Sequence, residues 1–145
     1  MTPFCISLEV ATTNALIPLG VEVWIDQECI LDTQHVTGPI AFSHDIDDDI
    51  EQEHELCVRL KNKKPEHTTV GTDGAIISDA LLIVSNLVFA GVNIDEIAAT
   101  EATYTHDFNG SQSCTQAAFF GPMGCNGEVS LKFSTPLYLW ILSNM

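Results

Sequence analysis

Basic residues are scarce in this chain: Lys and Arg number 5 against 20 Asp and Glu, and the formal net charge is −15. Arg59 is the only arginine. A surface that grips phosphate backbones needs clustered Arg and Lys, so no nucleic-acid partner is expected. Anionic membrane surfaces recruit the same residues, and no membrane partner is expected either. No run of about 18 uninterrupted apolar residues occurs, which excludes a simple membrane-spanning helix. The start, "MTPFCISLEVATT", lacks the basic segment and long apolar stretch of a secretory signal, so synthesis in the cytoplasm is expected.

Catalytic and metal signatures are missing as well. The five cysteines (Cys5, Cys29, Cys57, Cys114, Cys125) form no C-x-x-C pair and read as reduced, mostly buried small apolar residues. His35, His44, His54, His67 and His106 show no H-E-x-x-H spacing, there is no G-x-S-x-G elbow, and "GPMGCNG" is not a phosphate-cradling glycine loop. Pairing Cys125 with His106 as nucleophile and base has no spacing to support it. The expectation is a protein that is not an enzyme.

What the chain does have is alternation. "FCISLEV" puts Phe4, Ile6, Leu8 and Val10 on one side, "VEVWI" puts Val21, Val23 and Ile25 there, and "LCVRL" and "EVSLKF" repeat the pattern. Period-2 alternation is the mark of a half-buried strand. "ALLIV" is a short continuous apolar run, as expected of a strand buried on both faces, and "LVFAGVNI" follows Asn86. Turn-rich pieces separate these runs, among them "TGP", "NKKP", "GTDG", "FNGSQS" and "GPMGCNG". The "NGS" at Asn109 is a glycosylation sequon by pattern and is read as a turn. Many short strands at hairpin spacing predict an all-β fold, an antiparallel β-sandwich of jelly-roll type, as one domain over residues 1–145.

Two segments carry helix signals. In "STPLYLWILSNM" Thr135 is a candidate N-cap with Pro136 at the first helical position, predicting a short C-terminal helix. In "NIDEIAATEATYT" Asp95 is a cap candidate, while the threonine-rich end suits a strand; helix and strand both stand. Trp24, Phe119, Phe120, Tyr138 and Trp140 add apolar surface beyond what one small core encloses, which points to a homo-oligomer.

The acidic stretch "SHDIDDDIEQEHEL" is the first candidate site. Asp45, Asp47 and Asp49 have the spacing with which a calcium loop begins, but the glycine and terminal glutamate of an EF-hand are replaced by Ile50 and Leu56. If the segment is an extended strand, Asp45, Asp47, Asp49, Glu51 and Glu53 line one face. That face is read as a solvated, edge-protecting rim. Its alternative is a divalent-cation site on Asp45, Asp47, Asp49 and Glu51, calcium rather than magnesium, with His44 and His54 at its margins. The second candidate is the pair of loops "TYTHDFNG" and "GPMGCNG", where Tyr104, His106, Asp107, Asn109 and Asn126 combine an aromatic ring with hydrogen-bonding groups suited to a carbohydrate. Backbone capping accounts for the same residues equally well.

The segments "DDDIEQEHEL", "KKPEHT", "ATYTHDFNG" and "GPMGCNGEVSLKFSTPLYLWILSNM" resemble small uncharacterised proteins of tailed phages of marine cyanobacteria, also found in ocean metagenomes. The resemblance covers roughly the last two-thirds of the chain and its most specific part is the C-terminal tail. It implies a viral protein made in the host cytoplasm, with a structural or accessory role in the virion or its assembly, acting through protein–protein contacts. It carries no catalytic residues with it. The alternative function is a calcium-dependent carbohydrate-binding module.

Overall fold

Strands that alternate in polarity must bury one face, and in this chain they do so against one another. Residues 3–64, 68–74, 76–106, 114–119 and 121–145 are described in a computed structural model. The first half runs β1 (Pro3–Thr12), β2 (Gly20–Ile25), β3 (Glu28–Thr33), β4 (Ile40–Asp47), β5 (Gln52–Lys61), β6 (Thr68–Val70) and β7 (Ile76–Asp79). The second runs β8 (Leu82–Phe89), β9 (Val92–Asn93), α1 (Asp95–Glu101), β10 (Thr103–His106), β11 (Thr115–Ala118), β12 (Pro122–Met123), β13 (Gly127–Thr135) and α2 (Leu137–Asn144).

β6 and β7 pair with each other alone; of the two large sheets, one has the order β12-β8-β1-β4 with β9 also on β8, and the other has the order β11-β10-β13-β5-β2-β3. The pairings within both are antiparallel. The two inner faces meet in one core: Phe4, Ile6, Leu8 and Val10 of β1 face Val21, Val23, Leu56, Val58, Leu131 and Phe133 of the opposite sheet's strands. This is the antiparallel β-sandwich that the alternation predicts. At one end of the core Phe89 meets Phe133 edge-on at 5.1 Å, and Trp140 of α2 stacks on Phe89 at 6.0 Å.

Three details differ from the sequence reading. "ALLIV" does not open a strand buried on both faces: β8 starts at Leu82, and Ile83 is only half-buried. Its buried residues switch from Leu82 and Val84 to Leu87 and Phe89 because Val88 pairs with Ser7 while Ser85 pairs with Glu9, leaving one extra residue in β8. That is a β-bulge, and Asn86 there adopts φ 55°. Second, the N-cap of α2 is Pro136, not Thr135. Thr135 is the buried last residue of β13, and its hydroxyl donates to the Ile50 carbonyl at 2.5 Å. The helix's Leu137 N–H is satisfied instead by Asp48 Oδ1 at 2.7 Å. Third, the "NIDEIAATEATYT" segment is helix and strand in turn: α1 occupies Asp95–Glu101 and β10 begins at Thr103. The Asp95 carboxylate accepts the Leu87 N–H at 2.8 Å, fastening α1 beside the bulge.

Phe89 is fully buried at the point where both sheets and α2 converge. Phe89→Ala should lower unfolding stability by about 3–5 kcal/mol, read from urea denaturation, because the cavity has rigid walls on three sides. A loss below about 1 kcal/mol would mean that α2 collapses into the space.

Candidate functional site

The acidic stretch is two strands and a turn. β4 ends at Asp47, β5 begins at Gln52, and the connection crosses from one sheet to the other. The continuous strand expected from Asp45 to Glu53 is therefore corrected; its parity survives at both ends, with Ile46 buried on one side and His54, Leu56 and Val58 on the other. Ile50, in the connection, is exposed. Asp45 and Asp47 lie on β4, and Asp47 Oδ1 accepts the Asp49 N–H at 2.9 Å. Glu51 lines a depression of about 440 Å³ beside Thr135 and Leu139. Among the described residues, no three His, Cys, Asp or Glu side chains converge as a group able to hold a metal ion. The acids as placed do not make a calcium cage.

The aromatic loops split differently. Tyr104 is buried, its hydroxyl donates to the Cys125 carbonyl and accepts the Cys125 N–H at 2.9 Å, and burial pushes the phenol's pKa up to about 12. His106 lies against the Tyr104 ring at 4.6 Å. Asn126 clamps the backbone of Lys63, accepting its N–H at 2.9 Å and donating to its carbonyl at 2.8 Å. Asp107 and Asn109 lie outside the described residues. Tyr104 and Asn126 thus hold the loops in place through main-chain hydrogen bonds.

A different surface collects the side chains with binding chemistry. The outward residues of the six-stranded sheet form one row of directly opposed positions: Asp32, Glu22, Arg59, Glu128, Thr105 and Gln116, one from each strand. With strands about 4.8 Å apart, the row spans roughly 24 Å. Lys61 Nζ donates to Asp32 at 2.5 Å and to Glu22 at 3.1 Å, and Arg59 Nε donates to Glu128 at 2.6 Å. Next to the row, the half-exposed Trp24 has the Arg59 guanidinium 4.7 Å from its ring centre, and its indole N–H donates to Glu22 at 2.8 Å. Glu22, Arg59, Lys61, Thr105, Gly127 and Glu128 surround an open depression of about 520 Å³. Gly127 is required in it: a Cβ there would lie 2.3 Å from the Thr105 carbonyl oxygen.

The electrostatics follow from these contacts. The Trp24 indole N–H, then Lys61, hold the Glu22 carboxyl below the ordinary carboxylate range. Hydrogen bonding to Asp32 raises the Lys61 ammonium, and hydrogen bonding to Glu128 raises the Arg59 guanidinium, so both bases keep their charge at neutral pH. Sequence reasoning missed this row because its members come from distant segments. The signals were present singly: Trp24 between Val23 and Ile25 has to point outward, and Arg59 is the sole arginine.

Cys57 sits under the row, buried, with its thiol donating to Glu128 at 3.5 Å. Burial first, and the carboxylates of Glu128 and Glu55 second, push its pKa up to about 12. At pH 8 iodoacetamide should alkylate the exposed Cys5 and Cys29 and spare Cys57, as read by peptide mass spectrometry. Modification of Cys57 at a comparable rate would mean that the row opens in solution.

No protein-family model matches the chain, and no curated protein matches it. Two solved structures do. One is a selenomethionine form of vCBM60, described with two circularly permuted families of calcium-dependent carbohydrate-binding modules; it aligns with TM-score 0.54 and 14% identity over 88% of this chain and 89% of that one. The other is vCBM60 in complex with galactobiose, with TM-score 0.52 and 14% identity over 88% of this chain and 96% of that one. At this identity the likeness establishes a shared β-sandwich fold.

Proposed function

We propose that the protein is a carbohydrate-binding module whose ligand lies on the outer face of the six-stranded sheet. The observation that carries this reading is Trp24: a half-exposed indole on an open sheet face, held by Glu22 and Arg59, which also line the open depression next to it. Aromatic rings and hydrogen-bonding groups in fixed positions are what a sugar ring with its hydroxyls requires. The likeness in fold to solved carbohydrate-binding modules supports the same reading. Binding is the activity assigned, and no residue is given a catalytic role. Because the acids of the β4–β5 connection do not converge, no step of recognition is assigned to calcium. On a glycan array probed in calcium and in chelator, the protein should bind at least one glycan, and Trp24→Ala should weaken that binding about tenfold or more, a change of about 1.4 kcal/mol or above. An empty array in both conditions, or full binding by Trp24→Ala, would overturn the reading.

A second reading, an accessory role in a phage particle through protein–protein contacts, draws support from α2. Tyr138, Leu139 and Leu142 are 62%, 51% and 66% exposed, and Met145 follows at 87%. An apolar strip on a chain of net charge −15 is a natural contact surface, with itself or with another protein. Light scattering across a concentration series should show mass above 15.8 kDa for the wild type and monomer for Leu139→Asp/Leu142→Asp. A wild type that stays monomeric, together with absence from purified particles, would remove this second role.

A further inference from the structure

We infer that the sheet-face site takes neutral, polyhydroxylated glycans, to the exclusion of uronic or sulfated ones, and that it binds them without a metal ion. The inference rests on the carbohydrate-binding reading above and names the ligand class of that same site. It starts from where the few cations are. Of the five basic residues, Arg59, Lys61 and Lys132 lie on this face together with the acids Asp32, Glu22, Glu53, Glu55 and Glu128. Three bases against five acids leave the face at −2, while the other two bases and fifteen acids leave the remainder at −13. The site is a nearly neutral window in a strongly acidic protein.

An anionic glycan meets that acidic field on approach. It also finds Lys61 and Arg59 already paired: Lys61 with Asp32 and Glu22, Arg59 with Glu128 and, through Nη1 at 4.0 Å, with Glu22. To bind, a carboxylate or sulfate would have to displace one of these partners and leave a protein carboxylate unpaired beside it. A neutral hydroxyl avoids that cost, since it donates and accepts at once and can bridge a carboxylate to an ammonium without breaking their pair. The row offers such bridges in register. Lys61 retains one N–H beyond its two ion pairs, Arg59 has terminal N–H groups that make no hydrogen bond as short as its Nε contact, Nη1 standing 4.0 Å from Glu22, and each carboxylate oxygen has lone pairs to spare. Alternating signs along Asp32, Lys61, Glu22, Arg59 and Glu128 therefore match a chain of hydroxyls better than a chain of charges. Orientation comes from Trp24, whose ring is fixed at both its N–H and its face. This recognition uses the row's own donors and acceptors and calls on none of the β4–β5 acids, which among the described residues form no group able to hold a metal ion.

The test is calorimetry on the intact protein with galactobiose and neutral xylo- and cello-oligosaccharides, set against oligogalacturonate, in calcium and in EDTA. At least one neutral glycan should bind with the same affinity in EDTA, and raising the salt from low to high should change that affinity by no more than about twofold, because screening acts on net charge. Glu128→Gln and Trp24→Phe should fold with the wild-type melting temperature and bind that glycan about tenfold or more weakly. In a Trp140→Phe background, where Trp24 is the remaining tryptophan, the same glycan should shift the emission. Tighter binding of oligogalacturonate with a steep salt dependence would overturn the ligand class, and loss of binding in EDTA would overturn the metal-free mechanism, each leaving the carbohydrate-binding reading intact. If no glycan of either class binds, both fall together.

Discussion

The pairing of β5 with β13 is the interaction on which the rest of this protein depends. Its register runs without a break from Gly127 opposite Leu60 to Thr135 opposite Gln52, at the centre of the six-stranded sheet. Because side chains alternate strictly, this one ladder decides two surfaces at once. It sends Val58, Val129, Leu131 and Phe133 into the core and Arg59, Glu128 and Lys132 to the solvent. Slipping it by one residue would bury the charges and expose the core, a loss no local contact makes good. The charged row is therefore not an addition to the fold. It is the reverse side of the hydrophobic core, held in place by the same hydrogen bonds.

Much of the sandwich was legible in the sequence because each strand states its own polarity. Phe4, Ile6, Leu8 and Val10 are a pattern in seven consecutive residues, and no partner is needed to read it. What stayed hidden depends on partners. Asp45 through Glu53 alternates across a real break, since the chain turns at Asp48 to Glu51 and resumes with the same parity in another sheet. In β8 the apolar residues change phase at a bulge that only the pairing with β1 reveals, although Asn86 was a local sign of it. Thr135 and Pro136 looked like a cap, but the burial of Thr135 at a strand end gave its hydroxyl nearer carbonyls, and an aspartate 89 positions away took the helix N–H.

The candidate site divides along the same line. Tyr104 and Asn126 were visible as polar and aromatic residues beside glycines, and the hydrogen bonds that engage them go to Cys125 and Lys63, which no spacing rule anticipates. Asp32, Glu22, Arg59 and Glu128 were equally visible as charges, yet they become one row only once β3, β2, β5 and β13 lie side by side. Composition offered the best hint in hindsight. Three of the chain's five basic residues, Arg59, Lys61 and Lys132, lie beside acids on one open face.

The bond from Asp48 to the first N–H of α2 ties the acidic connection to the exposed apolar helix. Thr135 adds a second tie by holding the Ile50 carbonyl. Sheet crossing, helix start and solvent-facing leucines thus form one mechanical unit at an end of the sandwich remote in sequence from Trp24. A displacement of the connection therefore reaches the helix through these two hydrogen bonds. The chain segment that changes sheets is thereby also the footing of the protein's most exposed apolar surface.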